Sequence, residues 1–91
     1  MDNQKPAEAN QLRVFVMTGD SVVYNDIAAS VSSRNEAGRF DVLPFHTNFI
    51  SIIKEFLLIQ RSPTEKKELV IKNGIMRVFE NRVQVFVGSG E

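Results

Sequence analysis

Three sets of residues in this chain are of types that do chemistry. Ser21, within Gly19-Asp20-Ser21-Val22, could act as a nucleophile, His46 as a base or metal ligand, and Arg61, Lys66, Lys67 and Lys72 as a phosphate-binding cluster. A serine nucleophile needs a general base within hydrogen-bond reach and donors for the oxyanion. His46 is the only histidine, and no aspartate stands three residues before it. Gly-Asp-Ser is also ordinary turn chemistry between two strands, and that reading is preferred. A metal site on His46 would need two or three partners at coordinating spacing. Glu36 and Asp41 do not form such a set, and the absence of cysteine removes thiolate ligands. Glu65 and Glu68 interrupt the basic cluster, which therefore reads as a solvated segment. No catalytic residue, cofactor or metal is expected, and no nucleic acid as partner.

Composition limits the class further. Ninety-one residues make one domain, and 43% apolar residues with seven phenylalanines suffice for a core. Lysine plus arginine equals aspartate plus glutamate at 11 each, so neither the basic excess of a nucleic-acid binder nor the polybasic run of a membrane-surface binder is present. Zero net charge leaves no long-range repulsion, which suits a domain that rests against partners. No apolar run reaches the roughly 18 residues of a membrane span. Residues 1–11 read as a flexible polar tail without the apolar stretch of a signal peptide, which points to a cytoplasmic location.

The apolar pattern has period two, the signature of half-buried strands. Leu12, Val14 and Val16 alternate with Arg13, Phe15 and Met17; Val83, Val85 and Val87 alternate with Arg82, Gln84 and Phe86. Gly19-Asp20, Asn25-Asp26, Asn73-Gly74 and Glu80-Asn81 are read as turns, with Asn73-Gly74 the strongest hairpin signal. Residues 62–67 are read as a charged loop. The small residues between Ile27 and Ser33 suggest close packing. Segment 48–58 admits a short helix, since Phe49, Ile52, Ile53 and Phe56 recur at helical spacing and Thr47 could cap it. Its β-branched residues favour strands that bend near Lys54-Glu55. The phenylalanine-rich stretch from Phe45 to Phe56 is assigned to the core, with Phe45 and Phe49 able to reach a partner.

The stretch Gly38-Arg39-Phe40-Asp41-Val42-Leu43-Pro44-Phe45-His46, with the opening block Val14–Tyr24 and the closing block Ile71–Val85, resembles the N-terminal domain of the epsilon subunit of F-type ATP synthases. The resemblance extends from about Leu12 to Gly88. It implies an all-β fold, a two-sheet antiparallel β-sandwich of about eight to ten short strands, spanning residues 12–88, with 89–91 as a C-terminal end. It further implies a non-catalytic rotor subunit that joins gamma to the membrane proteolipid ring and couples proton flow to ATP synthesis at the cytoplasmic face of the bacterial inner membrane. Glu36, Gly38, Arg39 and Phe40 would then face the ring, with Pro44, Phe45 and His46 shaping the adjacent turn. Family members often continue into a C-terminal helical hairpin; if this chain is complete, the inhibitory role of those helices is absent. Asp41 and Phe45 stand where the family usually has glycine, and Lys54-Glu55-Phe56 replaces a Lys-Pro-Gly turn. Phe45 thus implies a changed loop or contact. The alternative is a stand-alone small β module that binds nucleic acid or peptide.

Overall fold

The computed structural model describes residues 10–88, so most of the expected tail and the segment 89–91 lie outside the described residues. Seven strands follow one another: β1 (Leu12–Thr18), β2 (Ser21–Ala28), β3 (Ser30–Asn35), β4 (Gly38–Val42), β5 (Phe49–Ser62), β6 (Glu65–Phe79) and β7 (Arg82–Val87). They form one mixed sheet in the order β2-β1-β7-β6-β5-β3-β4. The expected all-β class is met, and segment 49–62 is a strand and not a helix. Two details differ from expectation. Strands β1 and β7 are parallel, with Arg13 beside Arg82 and Thr18 beside Val87, so the sheet is not wholly antiparallel. The strands number seven because β5 and β6, of 14 and 15 residues, each run through a bend instead of stopping at it.

Those two long strands make the sandwich. The β5–β6 register shifts between Ile53 and Glu55, and Glu55 takes φ 76°, a left-handed conformation that kinks the strand. On one side of the kink, β5 pairs β6 next to β7. On the other side it also pairs β3. The sheet therefore curls back on itself. A flat seven-stranded sheet would be about 10 Å thick, whereas the shortest dimension here is 26 Å. Leu12, Val14, Val16, Val83 and Val85 from one wing meet Val31, Val42, Leu57 and Ile59 from the other in a single buried cluster. Each such side chain contributes roughly 1.5–3 kcal/mol through burial.

Asn73-Gly74 is not a turn. Both lie inside β6, and Gly74 pairs Ile53 on one side and Val87 on the other. Its value is space: a Cβ there would stand 2.9 Å from the Phe86 carbonyl oxygen. The two-residue turn with positive φ at both positions sits instead at Glu80-Asn81, with φ 48° and 62°. Asn25-Asp26 likewise lies within β2, paired to Phe15 and Val14. The expected loop 62–67 shrinks to Pro63-Thr64, because the Ser62 hydroxyl accepts the Thr64 and Glu65 amides and closes a tight hairpin. The reading of Phe45–Phe56 as core holds in part: Ile53 is fully buried and Phe49 packs against the cluster, whereas no phenylalanine is fully buried and Phe45 is exposed. Branched aliphatic side chains fill the space between the wings, and the larger rings lie at its margins or outside. The closeness expected between Ile27 and Ser33 is present: Ser32 and Ser33 are both buried, donating to Asp41 Oδ1 at 2.5 Å and to the Phe56 carbonyl at 2.7 Å.

Candidate functional site

The residues proposed to face a partner occupy β4 and both of its ends. Glu36 and Ala37 form the β3–β4 turn, closed by the Asn35 side chain accepting the Ala37 amide at 2.9 Å. Gly38 follows with φ 121°, a value open to glycine and costly for other residues. Glu36 is almost wholly exposed, its carboxylate 4.0 Å from Lys54 Nζ. Arg39 reaches Asp41 at 3.4 Å and lies over the Phe56 ring at 5.3 Å. Phe40 alternates with these two, so its ring turns inward onto Phe49, edge to face at 5.7 Å. The hairpin thus displays Glu36, Gly38 and Arg39 together, while Phe40 supports them from beneath.

Pro44, Phe45 and His46 lie at the other end of β4, whose length separates the two groups by roughly 14 Å. The His46 amide donates to the Leu43 carbonyl at 3.1 Å, making Leu43-Pro44-Phe45-His46 a β-turn. Proline precedes a residue with φ 70°, the sequence and geometry of a type II turn. Phe45 therefore keeps the backbone conformation that a glycine would adopt. With φ 70° a glycine would fit this position without strain, whereas phenylalanine adds a large side chain to it. The Asn81 carboxamide oxygen accepts the Phe45 amide at 2.6 Å, tying this turn to the β6–β7 turn. His46 stacks obliquely on Phe49 at 5.1 Å, and its Nδ1 lies 2.9 Å from the Thr47 carbonyl.

A third surface escapes the alternation argument. Ile52 pairs Ile75, Ile75 pairs Phe86, Phe86 pairs Met17, and Met17 pairs Val22. Paired residues share a face, and this row points away from the core because Ile53, Met76, Val85 and Val16 beside it point inward. The row crosses five strands, about 19 Å. Ile50 and Ile52 are each about 70% exposed. The sequence carries a signal for it: these strands have apolar residues at both phases of the alternation.

Ser21 is exposed at the start of β2, and His46 is engaged at the Phe49 turn. Among the described residues no group of three His, Asp or Glu side chains could hold a metal. Arg61 is flanked by Asp26 at 3.4 Å and Glu65 at 3.1 Å, and these two carboxylates hold its pKa above the ordinary guanidinium value. Burial, then the nearby Asp26 carboxylate, raises the Tyr24 phenol above its usual value of 10.0.

The family model for the ATP synthase delta/epsilon chain β-sandwich domain matches residues 11–91. An ATP synthase epsilon chain of Desulforudis audaxviator is 33% identical over 85 residues, covering 93% of this chain and 61% of the relative. That of Sulfurimonas denitrificans is 29% identical over 79 residues, covering 86% and 61%. The chain thus spans about three-fifths of the length of these relatives. A chain in the Euglena gracilis mitochondrial ATP synthase structure, solved as OSCP/F1/c-ring, superposes with TM-score 0.80 at 19% identity, over 91% of this chain and 53% of that one. One in the Tetrahymena thermophila central stalk and c-ring gives 0.71 at 10% identity, over 90% and 66%.

Proposed function

The chain belongs to the family of ATP synthase delta/epsilon chain β-sandwich domains, and from that membership we propose that it serves as the epsilon subunit of a proton-translocating F-type ATP synthase. Its role is non-catalytic. It links gamma in the central stalk to the proteolipid ring, peripheral to the cytoplasmic face of a bacterial inner membrane. The hairpin carrying Glu36, Gly38 and Arg39, braced by Phe40, takes the ring; the outer apolar row takes gamma.

The observation that carries this reading is the exposed row from Ile52 to Val22. A sheet face that is apolar outside as well as inside is a contact surface. A standard contact takes about 800 Å² from each partner, so the 5802 Å² surface of this domain accommodates two. Rotation loads such contacts sideways, which favours a stiff sheet over a mobile loop. Against the alternative nucleic-acid module stands Arg61, one of its four candidate cations, which two carboxylates already pair.

Co-purification of the chain with gamma and the ring from its own organism tests the proposal. A stoichiometric complex that survives moderate salt is expected. A well-folded chain that ignores gamma at micromolar concentration overturns it.

A further inference from the structure

We infer that Phe45 is an aromatic anchor, preset by its turn, that inserts into an apolar socket on gamma. The inference deepens the two-partner reading above and rests on it. A bulky residue at φ 70° is an outlier, since its Cβ crowds the backbone where glycine has none. Its side chain gains little packing in return, being 75% exposed, and among the described residues the three aromatic ring pairs are made by other residues. Yet the backbone is firmly held. Asn81 accepts the Phe45 amide at 2.6 Å, the Leu43 carbonyl accepts the His46 amide, and Asn48 accepts the Glu80 amide at 3.1 Å beside them. Leu43, also exposed, and Pro44 complete an apolar knob. A large aromatic displayed in one fixed orientation loses little freedom on binding, which is how a few residues come to dominate an interface.

Placement selects the partner. The knob lies at the end of β4 opposite the Glu36–Ala37 turn, so a ring seated on that turn leaves the knob free. Asn48, which accepts the Glu80 amide beside the knob, leads along β5 to the exposed Ile50 and Ile52, about 7 and 13 Å further on. One partner lying on that face reaches Phe45 at its border. That partner is gamma.

The test compares Phe45→Gly and Phe45→Ala with the parent chain for gamma binding by calorimetry, thermal unfolding, and self-association by sedimentation. Both variants are expected to weaken gamma binding about thirtyfold, the loss typical of an anchor residue. Phe45→Gly should melt no lower than the parent and above Phe45→Ala, since it alone relieves the turn. Equal gamma binding by parent and variants overturns this inference and leaves the function standing. A parent that does not bind gamma overturns both. A fall in the melting temperature of Phe45→Gly assigns Phe45 to the domain's own packing, and a parent dimer that both variants dissolve assigns the knob to a second copy; either result overturns the socket on gamma.

Discussion

Asn81 fastens two segments far apart in the sequence, and its three tasks separate by substitution. Its side-chain oxygen caps Phe45, its carbonyl accepts the Arg13 amide at 2.9 Å, and its own φ is 62°. Asn81→Ala should cost about 1–2 kcal/mol, from the lost cap and from a Cβ in a left-handed position. Asn81→Gly removes the cap but suits the backbone, so about 1 kcal/mol or less is expected. Asn81→Asp retains both an acceptor and tolerance for that φ, and should restore most of the stability. Urea unfolding of the three variants checks the order. The turn itself was readable from Glu80-Asn81, but its partner was not, since nothing in residues 43–46 announces a bond to a residue 36 positions away.

At the scale of the element, the long strands hold the clearest consequences. Gly74→Ala should destabilise by about 1–3 kcal/mol, because the new methyl meets backbone of β7, which cannot rotate away. Denaturant midpoints measure it. In β2, Tyr24 donates to the Ile27 carbonyl at 2.7 Å and its pKa is raised by burial. The folded state therefore holds the phenol proton more tightly than the unfolded chain does. That contribution is complete below the ordinary phenol pKa of 10.0 and fades as pH rises through the higher folded value. Tyr24→Phe should lower stability by about 1 kcal/mol at neutral pH and flatten the loss above about pH 10. Element type was legible wherever alternation was strict, as in β1 and β7, and the bend at Lys54-Glu55 was visible as a break in the apolar run. Asn73-Gly74 misled because a glycine required for close approach looks the same in sequence as one required for a turn. The parallel β1–β7 pairing was hidden for a related reason: alternation tells which face a residue takes and says nothing of its neighbour.

For the whole molecule, the inner and outer faces should respond oppositely to substitution. Leu57→Ala, at the centre of the buried cluster, should cost about 2–5 kcal/mol. Replacing Ile50 and Ile52 together by threonine should change stability by no more than about 1 kcal/mol while weakening association with gamma. Melting curves and binding isotherms on the same samples distinguish the two. The β class and most core residues followed from the sequence, whereas the exposed outer apolar row did not, because exposure depends on how the sheet curls. Among the described residues, the first and last strands lie side by side and run the same way. Tension applied at the two ends of the chain would therefore draw β1 and β7 in opposite directions along their common axis. All six paired positions, from Arg13–Arg82 to Thr18–Val87, resist that sliding at once instead of opening one after another. Single-molecule stretching from the ends should accordingly show one high-force rupture, whereas prising the edge strand β2 outward should peel it at far lower force.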